Sequence, residues 1–109
     1  MTKVAELLAA CEGFDWDDGN IGKNWTKHGV TDWECEEVFF NRPLALASDS
    51  AHSRTEARYY ALGQTDRERL LSVAFTIRDG RVRPISARDA NARERRIYEG
   101  TKEDTGVQG

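Results

Sequence analysis

The hydrophobic positions of this chain change period twice. Up to Phe40 they recur at helical spacing: Val4, Leu7, Leu8 and Cys11 share one face of a short amphipathic helix. Phe14-Asp15-Trp16 follows as a brief extended segment. Asp17 or Asp18 offers a cap for a helix over about residues 18–27, which Gly29 stops. Thr31 and Glu34 have the capping-box spacing, so another helix starts there, with Trp33, Cys35, Val38 and Phe39 as its apolar face. Asn41-Arg42-Pro43 ends it.

From Leu44 the period becomes two. Leu44–Ala47 and Arg58–Leu62 read as strands, the second ended by Gly63. Leu71, Val73, Phe75 and Ile77 alternate with Leu70, Ser72, Ala74 and Thr76, the strongest strand pattern of the chain. Asp79-Gly80 marks a hairpin into Val82–Arg88, where Pro84 requires an edge or a bulge. After Arg88 the helical period returns through Ala92, Arg96 and Tyr98. Helices, then an antiparallel meander, then a helix make an α+β domain, with the helices packed on one face of a small sheet. The other face is left for a ligand. The expected division is a core over 14–99, an extension over 1–13 and a flexible polar tail over 100–109.

Composition sharpens this picture. With 109 residues, 39% hydrophobic and 32% charged, the chain suits one soluble domain with a modest core. No apolar run approaches the roughly 20 residues of a membrane span, so no membrane partner is expected. Cys11 and Cys35 are expected reduced and packed, in a cytoplasmic protein. No spacing resembles a metal site, and no cofactor is expected. The net charge of −3 conceals a division. Residues 1–53 hold four Lys/Arg against ten Asp/Glu, whereas residues 54–96 hold eleven arginines, no lysine and six Asp/Glu. Arginine presents a planar donor fork suited to phosphate, so the second block is a candidate phosphate surface. Solvated arginines on a strand are the competing reading.

The candidate chemistry is metal-free cleavage of a phosphodiester. That requires a proton shuttle, a holder for the phosphate and stabilisation of developing charge. His28 is the first candidate for general acid or base, since histidine changes charge near neutral pH. Lys27 is a phosphate contact or alternative acid. Glu56 is a base or an orienter, and Arg58, Arg78, Arg83 and Arg88 hold phosphate. Arg54 and Arg93 extend that surface. Each has a structural alternative: His28 beside Gly29 as a helix C-cap, Glu56 as an ion-pair partner of Arg58, and Arg93, Arg95 and Arg96 as a solvated helix face. Trp16, Trp25 and Trp33 read as core, and of Tyr59 and Tyr60 one must face the core.

An ordered set of short motifs carries a family resemblance. Phe14-Asp15-Trp16-Asp17 is followed by Lys27-His28-Gly29-Val30, Trp33 with Val38-Phe39, His52-Ser53, Glu56, Arg58 and Gly63. Arg69-Leu70-Leu71, Val73-Ala74-Phe75-Thr76, Arg83, Ile85-Ser86-Ala87-Arg88 and Glu94 with Tyr98 complete it. From Phe14 to Tyr98 the chain resembles the BrnT toxins of bacterial type II toxin–antitoxin pairs. The resemblance implies a RelE-like fold and a ribonuclease that inhibits translation, acting on free or ribosome-associated RNA. It also implies a ribbon-helix-helix antitoxin, with operator DNA bound only through the antitoxin complex. The chain departs from the pattern in its acidic balance and in residues 1–13. The alternative from another class is a phosphate- or partner-binding module that acts only within an antitoxin–operator complex.

Overall fold

A computed structural model describes residues 3–52 and 55–108. Three helices precede the sheet: α1 (Lys3–Ala9), α2 (Lys23–His28) and α3 (Asp32–Phe40). The strands are β1 (Ala45–Ser48), β2 (Tyr59–Gln64), β3 (Leu70–Arg78) and β4 (Arg81–Asp89), and α4 (Ala92–Gln108) follows. The four strands form one antiparallel sheet in the order β1-β2-β3-β4. The α+β architecture expected from the change of period is the one observed. Among the described residues, no helix is long and apolar enough to cross a membrane.

The alternation of β3 sorts its side chains to two faces. Leu71, Val73 and Phe75 meet Val38 and Phe39 of α3, with Val4, Val30, Cys35, Ala61, Val82 and Ala87 completing the main core. Phe39 meets Phe75 edge to face at 5.0 Å. The capping box of α3 is complete: the Glu34 amide donates to Thr31 Oγ1, and the Thr31 amide donates to Glu34 Oε1. Such a cap contributes about 1 kcal/mol. Arg69 ties this helical layer to the sheet, donating to the Gly29 carbonyl, Glu34 and Asp89.

Several local expectations are corrected. The second helix begins only at Lys23 after Gly22, because residues 17–20 close turns on Asp17 and Asn20 instead of a helical cap. Gly63 does not end its strand. It lies within β2, where an added Cβ would stand 3.1 Å from Val38 Cγ1 and 3.2 Å from Leu44 Cδ1, so its lack of a side chain admits α3. Trp25 and Trp33 are 61% and 65% exposed, not core. Trp33 stands about 200° around the helix from Cys35, whose face is the buried one. Trp16 is half-buried and donates to Glu36. Pro84 behaves as read, next to a bulge in the β3–β4 register at the sheet edge.

The face turned away from α1 and α3 is not wholly free. Leu62, Leu70, Ala90 and Tyr98 form a second cluster through which α4 covers one end of it. The Tyr98 hydroxyl donates to the Pro43 carbonyl, fixing the helix across the sheet.

Candidate functional site

The expected arginines converge on the open sheet face, but at two separate ends. Register pairs Ser72 with Arg88 and Thr76 with Arg83, so all four share the face opposite Val73 and Phe75. At the β3–β4 hairpin end, Arg78 donates from Nε and Nη2 to both oxygens of Glu56, at 3.0 and 2.8 Å. Arg83 donates from Nη1 and Nη2 to both oxygens of Asp17 at 2.9 Å, and its side chain is only 13% exposed. Arg58 lies 3.6 Å from buried Asp49. The arginines hold the Glu56 and Asp17 carboxyls below the usual range.

At the other end β4 runs into α4. Asn91 caps α4 reciprocally: the Glu94 amide donates to Asn91 Oδ1, and the Asn91 amide donates to Glu94 Oε1. Glu94 is thereby fixed on the sheet face, where Arg88 donates to its two oxygens from Nη1 and Nη2 at 2.8 and 3.0 Å. Arg88 Nη1 also donates to the Asp89 carbonyl. A guanidinium has five N–H donors, so the Nε–H and one Nη2–H of Arg88 stay without a partner among the described residues. These two lie side by side and form a fork that fits a phosphate. Arg88 keeps Glu94 ionised, its carboxyl below the usual range. Beside the pair runs a trough of about 420 Å³, lined by Ala47, Tyr60, Leu62, Ser72, Arg88 and Ile97 among others.

His28 belongs to this second end. The Ala87 amide donates to Asn24 Oδ1 and Asn20 Nδ2 donates to the Pro84 carbonyl, so α2 follows the outer edge of β4. His28, one turn beyond Asn24, is exposed near Asp89, whose carboxyl is lowered chiefly by Arg69 and also by the His28 charge. Lys27 is exposed beside it. His28 and Glu56 are therefore not a pair. The His28 carbonyl faces Arg69, just before β3, whereas Glu56 binds Arg78 at its far end. A nine-residue strand spans about 27 Å.

The remaining candidates divide as follows. Arg93 is exposed in the first turn of α4, with no ion pair among the described residues. Arg54 and the side chain of His52 lie outside the described residues. Among the described residues no group of three or more His, Cys, Asp or Glu is arranged to hold a metal. Cys35 is buried, which pushes its thiol up to about 12, and it makes no disulfide with Cys11. A second hollow of about 400 Å³, near Leu8, Phe14, Phe40 and Leu44, holds none of the candidate residues.

Sequence reasoning overlooked Glu94 and Asp17 as the carboxylates that set Arg88 and Arg83. Glu94 was detectable, because Asn91 and Glu94 have the same cap spacing as Thr31 and Glu34. Asp17 carried no such signal, since its partner is 66 residues away. A family model described as the ribonuclease toxin BrnT of type II toxin–antitoxin systems matches residues 16–94. No curated protein matches the chain.

Proposed function

As this chain belongs to the BrnT family of ribonuclease toxins of type II toxin–antitoxin systems, we propose that it cuts RNA without a metal where β4 meets α4. The observation that carries this reading is the open Nε/Nη2 fork of Arg88, held in place by Glu94 from its other side. In the reaction the 2′-oxygen of the RNA attacks the adjacent phosphorus and its proton passes to a base. The bond to the 5′-oxygen breaks, and that oxygen takes a proton. The products are a cyclic phosphate and a 5′-hydroxyl. Arg88 holds the phosphate and offsets the charge that develops on it. His28 moves the proton, with Lys27 as a further phosphate contact, since both stand at the same end of β4. Glu94 is a positioning residue: ionised and bonded to Arg88, it is a weak base. Glu56 and Asp17 hold Arg78 and Arg83. The carboxylates of this face are engaged by arginines, so guanidinium charge supplies the stabilisation.

Requirement for a 2′-hydroxyl makes RNA the substrate and spares DNA. Cleavage of messenger RNA, free or on the ribosome, inhibits translation. The antitoxin is a ribbon-helix-helix dimer that masks the toxin in the cytoplasm and carries it to operator DNA. Two toxins per assembly follow from that dimer, and light scattering that finds one toxin per antitoxin dimer contradicts it.

One observation favours a second reading, in which the chain grips phosphate without cutting. Of the expected proton-transfer pair, only His28 stands at the Arg88 end of β4, and there its neighbour is Asp89, which alternates to the face opposite Arg88. A single experiment separates the two: purified protein is incubated in chelator with defined RNA and matched DNA, with and without ribosomes. Cleavage of RNA alone, lost in Arg88→Ala and His28→Ala but kept in Glu56→Gln, supports the proposed site. Binding without cleavage under every condition favours the second reading. Cleavage only with added divalent ions overturns the metal-free reaction.

A further inference from the structure

The trough beside α4 is more than a phosphate site requires. Alternation along β2 turns Tyr59 into the core, 5.6 Å from Phe75, and therefore turns Tyr60 onto the open face. The register neighbours of Tyr60 are Ala47 and Ala74, so its ring stands over a floor of small side chains. Ile97 of α4, half exposed, borders the trough together with Leu62. At one rim is the Arg88 fork. Arg93 lies one turn before Ile97, on the same side of α4. A largely apolar trough with Arg88 at its rim and Arg93 on the adjoining helix suits an object that is apolar on its faces and flanked by anions. Single-stranded nucleic acid has that form, because each base offers a π-face and each is flanked by phosphates.

We propose that this trough holds one unpaired base of the RNA, stacked on Tyr60 against Ile97, with the flanking phosphates on Arg88 and Arg93. The inference rests on the ribonuclease reading and states how its substrate is gripped. The stacking is sequence-tolerant. It selects unpaired RNA over duplex, since a paired base cannot enter the slot.

The test uses short single-stranded RNA bearing 2′-methoxy groups, which removes the attacking hydroxyl, together with versions abasic at each position in turn. For the wild-type protein one abasic position weakens binding roughly tenfold. Tyr60→Ala weakens binding of intact RNA by the same factor and adds nothing to the loss at that abasic position. Tyr60→Phe binds as wild type. Ala47→Phe, which fills the slot from an exposed position of β1, reproduces the loss without removing Tyr60. If Tyr60→Ala and Ala47→Phe fold and bind intact RNA as wild type, the base slot is wrong. It is equally wrong if their losses add to the abasic loss. If the wild type cuts RNA while Tyr60 and the base are uncoupled, only this inference falls. If the wild type neither binds nor cuts RNA, with or without ribosomes, the ribonuclease reading falls and this one with it.

Discussion

The two ends of the open sheet face use the same chemical pair to different effect. Arg88 and Arg78 are both gripped by a carboxylate with two bonds, and they are comparably exposed, 43% and 45%. Glu94 binds Arg88 end-on through Nη1 and Nη2, leaving the Nε side open, whereas Glu56 takes the Nε and Nη2 of Arg78 and leaves its Nη1 end open. Arg83, engaged by Asp17 and also 3.4 Å from Asp15, is sunk between them. The Arg88 end also borders a trough, and His28 stands at the same end of β4. The direction from which a carboxylate approaches thus decides which side of an arginine is presented to a substrate: the Nε/Nη2 side of Arg88 and the Nη1/Nη2 end of Arg78.

The largest effect should come from removing the open fork. Arg88→Ala should lower cleavage by about 100- to 1000-fold, as for loss of one donor to a developing oxyanion, and relieve growth arrest on expression. Retained toxicity in a folded Arg88→Ala protein would mean that the two ends do not differ as described. His28→Ala should cost about 100-fold in kcat with little change in KM, because proton transfer, not binding, is removed. A change in KM alone would reduce His28 to a binding contact.

Next comes the support of the fork. Glu94→Ala should lower cleavage by roughly tenfold and stability by about 1 kcal/mol, since it removes both the partner of Arg88 and half of the α4 cap. The sign of its pH dependence follows from the lowered carboxyl. A carboxylate stabilised in the fold contributes above its ordinary value of 4.5, and the contribution is lost as pH falls through the folded value. The stability difference between wild type and Glu94→Ala should therefore be constant near neutrality and shrink below about pH 4.5. A difference that grows on acidification would contradict the assignment.

The smallest effect is expected at the hairpin end, and in the opposite direction. Glu56→Gln releases the fork of Arg78 without disturbing Arg88. RNA affinity should rise a few-fold, and the salt slope of binding to single strands should steepen by about 0.7, the contribution of one added phosphate contact. Loss of cleavage in Glu56→Gln would return Glu56 to the catalytic set and join the two ends into one site.

Much of the fold was legible because its signals are local. The capping box of α3, the hairpin at Asp79-Gly80, the alternation of β3 and the bulge at Pro84 each depend on residues within a few positions of one another. The signals that misled were residue types read without their angular position: tryptophan as core, glycine as a strand end. Trp33 is placed outward by Cys35, Val38 and Phe39, and Gly63 is an approach point for α3. The site divides in the same way. Its arginine supply and the isolated lysine-histidine pair were visible in composition, and the ordered motifs were sufficient to indicate the family that matches residues 16–94. The grouping of those residues was not.

The sequence by itself determined the order of elements, the arginine-rich block and the chemistry available to it, because periodicity, turn propensity and side-chain type are properties of neighbouring residues. Only the tertiary structure decided that Glu56 stands a full strand length from His28 and that Asp17 crosses the chain to Arg83. It likewise decided that Glu94 leaves one side of Arg88 open and that Tyr60 faces a trough. Those outcomes depend on strand register and on how α2 and α4 dock against the sheet. The bonds that set them, apart from the Arg88–Glu94 pair, join residues 22 to 66 positions apart. No local pattern encodes contacts of that span, because they form only when the whole sheet has closed.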